Sequence, residues 1–295
     1  MMKCNMKEPL QLKSTAKVNL RIEILKKRED GYHEIETILQ KISLNDTLHF
    51  SLKKGKGVTI TTDHPSLPVG KENLVYKALQ SMLKVSGYKG GVHIHIEKRI
   101  PLGAGLGGGS SNAATTLKAL NQLLDLGASK KSLMEMGMEV GADVPFFFLE
   151  GAAMGSGIGE RLKKIELPAL WFVLIYPNFE VSTRWAYQNF VLTNQRIHFS
   201  LQKFTKTPVG ISHILLNHLE EVVSKKYPQI DIMKKILLSA GATGTLMTGS
   251  GPTVFGIFPE EKGAAEAYGR IEALVKRRGW TVFRAHSITA DASLR

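Results

Sequence analysis

The sequence predicts an α+β protein in two domains, an N-terminal α/β domain over residues 1–165 and a C-terminal domain over residues 166–295. Three observations carry this. At 295 residues the chain is longer than one ordinary domain. Short strand-like runs alternate with helical spacings along its whole length. The texture of the sequence changes near Ile165–Ala169, which marks the boundary.

In the first half, residues 10–14 and 18–25 read as extended, followed by a polar turn at Lys26–Gly31. Residues 34–43, 47–52 and 57–62 resume the extended pattern. Leu74, Val75, Ala78, Leu79 and Met82 recur at helical spacing, which predicts a helix over 72–84. Residues 91–97 alternate apolar and polar side chains, as a strand with one wet face does. Ala113, Leu117, Leu120 and Leu124 define a second helix, and a third over 129–140 ends at Gly141. The apolar run 144–149 reads as a strand. In the second half, strands are expected at 171–176, 243–248, 253–258 and 280–286. Helices are expected near 183–190, 210–224, 231–239 and 261–277, with a Gly-Ser-Gly-Pro turn at 249–252. Such alternation predicts helices packed on one face of a mainly antiparallel sheet.

Composition narrows the class. With 43% hydrophobic and 22% charged residues, the chain matches an ordinary globular protein. No apolar run approaches the ~20 residues that a membrane span needs. The N-terminal residues lack an apolar core of signal-peptide length, so the cytoplasm is expected. Cys4 is the only cysteine, which excludes an internal disulfide and a multi-cysteine metal site. The formal net charge of +13 does not choose between a nucleic-acid partner, an anionic small substrate and a solvated surface. The densest basic cluster, Lys276-Arg277-Arg278, sits in the last turn of a predicted helix before Gly279, where cations complement the helix end.

The stretch richest in chemistry is Pro101, Leu102, Gly103, Ala104, Gly105, Leu106, Gly107, Gly108, Gly109, Ser110, Ser111, between a strand and a long helix. Glycines let a backbone approach a ligand, and a helix start offers unpaired N–H groups and a positive dipole end, so the run predicts a phosphate site. A flexible linker fits poorly, because the run joins two strongly patterned elements. Gly103, Gly105 and Gly108 satisfy G-x-G-x-x-G, the dinucleotide fingerprint. Against that reading, the preceding strand alternates, Pro101 intervenes, and the expected acidic residue after a second strand is missing. No Gly-Lys-Ser/Thr closes the run, and the companion motifs of protein kinases are absent. A basic RNA-binding module ranks last, for want of an aromatic stacking motif. Asp143 lies at a tight Gly-Ala-Asp-Val-Pro junction and reads equally as a general base or a capping aspartate.

The run Pro-x-Gly-x-Gly-Leu-Gly-Gly-Gly-Ser-Ser closely resembles the signature of the GHMP kinases. Residues 16–20 (AKVNL), 30–40 (DGYHEIETILQ), 141–147 (GADVPFF) and 246–256 (LMTGSGPTVFG) follow in the order of one branch of that superfamily, over nearly the whole chain. The acceptor of that branch is a polyol joined to cytidine diphosphate, in the non-mevalonate route to isoprenoid precursors. One departure is Thr248, where the branch often has serine, with no catalytic consequence expected.

The resemblance implies an N-terminal domain with a left-handed βαβ crossover, a ferredoxin-like C-terminal domain, and transfer from ATP, with Mg2+, to the tertiary 2-hydroxyl of a methylerythritol moiety. It implies Asp143 as the base, with Lys17 beside it to stabilise anionic oxygen. Asn19 would contact the polyol hydroxyls. Tyr32, His33 and Tyr187 would hold the cytidine, and Thr183 would offer a substrate-side hydroxyl. Asn73 and Lys98 match adenosine-side positions. The partner is then a small molecule and neither nucleic acid nor membrane; a mevalonate- or homoserine-type acceptor remains the alternative. On residues alone, Lys17 reads as a surface cation and Tyr32 as a half-buried aromatic after a turn.

Overall fold

The computed structural model describes residues 8–192 and 206–289, so Cys4 lies outside the described residues. The chain forms two compact units, each built from separate stretches. The first comprises Met1–Thr15, Asn45–Ile100 and Gly108–Phe148; the second comprises Ala16–Leu44, Pro101–Gly107 and Leu149–Arg295. Strands β1 (Leu10–Lys27) and β2 (His33–Lys53) each run through the boundary without a break. The sequence suggested a break in β2 near Asn45-Asp46, because both are turn-forming residues. Asp46 instead is fully buried, and its carboxylate accepts the backbone N–H groups of Arg99 and Ile100 at 2.7 and 2.8 Å.

In the first unit, β3 (Gly57–Thr62) pairs parallel with β4 (Gly91–Glu97), which pairs antiparallel with the end of β2 from Thr47↔Glu97 to Lys53↔Gly91. The alternation of β4 is realised: Val92, Ile94 and Ile96 are buried, while His95 meets Thr61 at 2.9 Å on the other face. Helix α1 (Leu74–Ser86) starts at Asn73, whose side chain accepts from Val75 N, and ends at Gly87 with φ 63°. It buries the predicted Val75, Ala78, Leu79 and Met82 and packs on α2 (Gly108–Leu123), which in turn touches α3 (Lys130–Val140). The run 144–149 is not a strand. Pro145–Phe148 form a single 3-10 turn, which lets three consecutive phenylalanines all be buried where a strand would alternate them between faces.

In the second unit, β5 (Ala152–Ser156) pairs antiparallel with the first half of β2, from Thr37↔Gly155 to Gln40↔Ala152, and with β6 (Arg161–Ile165). Neither strand is readable from sequence, since β5 lacks β-branched residues and β6 is mostly charged. A four-stranded antiparallel sheet contains β7 (Trp171–Tyr176), which is followed in the chain by α4 (Thr183–Gln188). The single helix expected over 210–224 is two, α5 (Pro208–Ser212) and α6 (His218–Lys226). They are split by β8 (Leu216–Asn217), where Asn217 caps α6 through Leu219 N. After α7 (Gln229–Ser239) come β9 (Gly244–Met247), β10 (Val254–Phe258), α8 (Glu261–Arg277) and β11 (Thr281–His286).

The sheet order is β11-β7-β10-β9. Taken with the helices between β7 and β9 and between β10 and β11, this is the expected ferredoxin-like arrangement. All of β10 is buried, and Phe172 and Phe255 meet edge to face at 5.7 Å. Among the described residues no helix is long and apolar enough to cross a membrane.

Candidate active site

Along β1 the residues from Ala16 to Ile24 alternate strictly, with Lys17, Asn19, Arg21 and Glu23 on one face. Sequence reasoning would put such a polar face in water. In the second unit all four are buried, at 2–5% exposure. Burial of polar groups demands partners, and they form a network. Lys17 Nζ donates to Asn19 Oδ1 at 2.5 Å, and Asn19 Nδ2 donates to Thr37 Oγ1 at 2.9 Å. Arg21 Nη2 pairs with Glu23 Oε2 at 2.6 Å. Lys17 is therefore a buried ammonium with a fixed neighbour, not a surface cation.

The first part of the glycine run, Pro101–Gly107, belongs to this same unit. Lys17 N–H donates to the Leu106 carbonyl at 3.0 Å, which fastens the run to β1. Gly105 has φ 77°, and a side chain there would come within 2.2 Å of the Thr248 carbonyl oxygen, so only glycine fits. The turn after β9 thus lies directly against the run. Asn217 Nδ2 holds that turn by donating to the carbonyls of Met247 and Gly249 at 2.7 and 2.8 Å. Thr248 has a structural task that its family departure did not suggest: its hydroxyl accepts Asn19 N–H at 2.9 Å and lies 3.4 Å from the Gly105 carbonyl.

In the first unit the run continues as the start of α2. Gly109 is exposed and Ser110 half-exposed, whereas Ser111 is buried and accepts from Ser14 Oγ at 2.7 Å. Ser110 is thus the less buried of the two hydroxyl residues at the helix start. A Cβ on Gly108 would meet Ile100 Cγ2 at 3.0 Å and Lys98 Nζ at 3.2 Å. Lys98 is itself buried. It pairs with Asp46 Oδ2 at 2.8 Å and donates to the Ile100 carbonyl, and burial pulls its pKa below the usual lysine value. Asn73 is likewise engaged, donating to the Pro68 carbonyl at 2.6 Å while capping α1. Both residues build the walls beside the helix start with their polar groups occupied.

Asp143 is half-buried in the turn that follows α3. Gly137 in α3 lets Val144 pack closely, since a side chain there would come within 2.8 Å of Val144 Cγ1. Lys118 on α2 donates to the Phe147 carbonyl at 2.7 Å, which ties the turn beyond Asp143 to the helix that the glycine run opens. Leu74 sits within contact range of the positions of both Gly109 and Gly141. Within this unit the α2 start, the α1 start and the Gly-Ala-Asp junction therefore converge.

The residues expected to hold the cytidine all lie in the second unit. Asp30 Oδ1 accepts Tyr32 N–H at 3.1 Å, an aspartate-held turn that leaves Tyr32 60% exposed. The His33 and Tyr187 rings meet at 5.4 Å, tilted by 31°. Burial, with the Lys27 charge second, holds the His33 imidazole below its usual pKa. Thr183 Oγ1 lies 2.8 Å from Ser250 Oγ in the turn after β9. Sequence reasoning missed Thr37, Asp46 and Ser250. Only the alternation of β1 could have signalled the first of these, by leaving a polar face in need of partners.

This geometry has close counterparts among known proteins. Residues 73–151 match the GHMP kinases N terminal domain, and residues 207–277 match the GHMP kinases C terminal domain. Over 283 residues the chain is 47% identical to a 4-diphosphocytidyl-2-C-methyl-D-erythritol kinase of Syntrophus aciditrophicus (strain SB), covering 95% of this chain and 99% of that relative. It is 44% identical over 272 residues to the protein of that name from Geobacter sp. (strain M21), covering 92% of this chain and 96% of the relative. A solved structure of a 4-(cytidine 5'-diphospho)-2C-methyl-D-erythritol kinase superposes with a TM-score of 0.82 at 31% identity, over 95% of this chain and all of that one. The chain belongs to the 4-diphosphocytidyl-2-C-methyl-D-erythritol kinase family of the GHMP kinases.

Proposed function

We propose that this chain transfers the γ-phosphoryl group of ATP to the tertiary 2-hydroxyl of 4-diphosphocytidyl-2-C-methyl-D-erythritol, in the cytoplasm. The observation that carries the reading is near-full-length identity to kinases of that name, with Asp30-Gly31-Tyr32-His33 and the glycine run in the order of that branch. Phosphoryl transfer asks the protein for alignment, charge neutralisation and a proton acceptor. The backbone N–H groups from Gly107 to Gly109 and the α2 dipole receive the ATP phosphates. The half-exposed Ser110 hydroxyl, a hard oxygen donor, would be the group at the helix start to hold the Mg2+ that accompanies ATP. When bound, that ion would supply charge neutralisation on the phosphates.

Asp143 accepts the proton of the acceptor hydroxyl, and Lys17 neutralises oxygen charge at the reacting centre. Asn19 turns its oxygen to Lys17 and so acts on the acceptor side mainly by orienting that lysine. Tyr32, His33 and Tyr187 hold the cytosine, with Thr183 beside them. Asn73 and Lys98 serve the adenosine side through the α1 start and β4 exit that they build. The test is ADP release with magnesium and ATP against a panel of alcohols. The cytidine-linked acceptor should support turnover, and mevalonate and homoserine should not. Preference for either of these would overturn the acceptor assignment while leaving the kinase intact.

A further inference from the structure

Thr37 on β2 is buried, at 3% exposure, behind the Lys17–Asn19 pair. Its hydroxyl donates to the Arg21 carbonyl at 2.7 Å and lies 2.9 Å from Asn19 Nδ2. A threonine hydroxyl has one proton, and a backbone carbonyl can only accept it. Toward Asn19 the hydroxyl can therefore only accept, so the amide nitrogen faces Thr37 and the amide oxygen faces Lys17. An ammonium can only donate, and the 2.5 Å contact from Lys17 Nζ to Asn19 Oδ1 completes the series. Flipping the Asn19 amide would set NH2 against NH3+ and oxygen against a lone pair.

One further contact keeps Thr37 from turning. Its methyl group rests against β5 at Gly155, where an added side chain would come within 2.9 Å of Thr37 Cγ2. The β-branched side chain is stiff at χ1 in any case. Asn19 is held independently through its backbone N–H, which donates to Thr248 Oγ1 at 2.9 Å. The order of donors thus runs without ambiguity from Lys17 through Asn19 and Thr37 to a β1 carbonyl.

We propose that Thr37 is a positioning residue for phosphoryl transfer, which locks the Asn19 amide so that its oxygen aims the Lys17 ammonium. The proposal rests on the assignment of Lys17 to the reaction. Thr37→Val keeps shape and branching but removes the hydroxyl, and Thr37→Ser keeps the hydroxyl but removes the methyl. In Thr37→Val, kcat should fall by roughly tenfold or more, with KM for ATP and for the acceptor within about twofold of the unmodified values. Thr37→Ser should recover most of that kcat. In an Asn19→Ala background, adding Thr37→Val should cause little further loss, because both changes cut the same series. A space-filling role for Thr37 predicts the reverse: the serine variant worse than the valine variant, and independent losses in the double variant.

A readout free of turnover separates this proposal from the reaction assignment. In nitrogen-15 spectra of the unliganded protein, the Asn19 side-chain NH2 resonance should shift in Thr37→Val and hold in Thr37→Ser. Unchanged kcat in a folded Thr37→Val variant, or an unmoved Asn19 resonance, overturns the proposal. If the valine variant does not fold, a serine variant with a displaced Asn19 resonance overturns it equally. Failure of the unmodified protein to use the cytidine-linked acceptor sinks the functional reading alone, and the resonance still decides for Thr37.

Discussion

Asp143 sits after a helix end in a turn fixed by Gly137 and Lys118, which suits a carboxylate that must stay in place while a proton moves. Asp143→Asn keeps the shape and removes the proton-accepting charge. Turnover should drop by roughly two to four orders of magnitude, while calorimetric ATP affinity stays near its unmodified value. A folded Asp143→Asn variant that turns over normally would remove the aspartate from this role. Tyr32 and Tyr187 make a second case. Each ring stacked on cytosine should contribute about 1–3 kcal/mol, so Tyr32→Ala should weaken the cytidine ligand by roughly tenfold or more, and Tyr32→Phe only mildly. Tyr187 also covers His33. Since burial is the main cause of the low His33 pKa, Tyr187→Ala should raise that pKa toward the ordinary histidine value in an NMR titration. A pKa that stays put or falls would mean that the ring does not shield the imidazole. The roles proposed for such residues rest on family likeness; on local pattern alone Tyr32 is a turn aromatic and Lys17 a surface cation.

Part of the glycine run serves the fold, which spacing alone could not reveal. Gly105 serves the fold, with a positive φ and the Thr248 carbonyl oxygen 2.2 Å from where a Cβ would stand. Gly105→Ala should destabilise the protein by on the order of 2–3 kcal/mol, read from denaturant unfolding; an unchanged midpoint would contradict the packing described here. Gly109 is exposed, and an added Cβ would meet only Leu74 Cδ1 at 3.6 Å. Gly109→Ala should therefore fold normally and still weaken ATP binding in calorimetry, whereas equal affinity would argue against a backbone cradle there. Helix α1 reads well because its periodicity reflects one buried face, whereas α2 is buried without a break from Ser111 to Leu117 and its apolar spacing marks only part of what it buries. What failed was short or atypical: β5 lacks β-branched residues and β6 is mostly charged, the 144–149 run hides a 3-10 turn, and a capping Asn217 splits one expected helix into two. The buried polar face of β1 was illegible for a different reason. Alternation shows that a strand has two faces, but not that other parts of the fold will cover both.

Across the whole molecule, His33, His93 and His218 share one electrostatic property. Burial holds each below the ordinary histidine pKa, and in His218 the Nδ1 atom accepts Ile24 N–H at 3.1 Å. Between those lowered values and about pH 6.5 the unfolded chain binds more protons than the folded one, so stability rises with pH through that window. The melting temperature should accordingly fall as pH drops from 7 toward about 5, before the carboxylates add their own loss below about pH 4. Asp63 belongs to that later group, held low first by the Lys98 backbone N–H. His218→Gln should flatten the slope above pH 5, and an identical slope would remove His218 from the explanation. Transfer to a tertiary hydroxyl can be read from phosphorus NMR of the product formed from ATP and the cytidine-linked acceptor. Such transfer should give one new phosphomonoester signal with no coupling to a proton on the phosphorylated carbon, because a tertiary carbon carries none. A signal split by such a proton, from a primary or secondary hydroxyl, would contradict it.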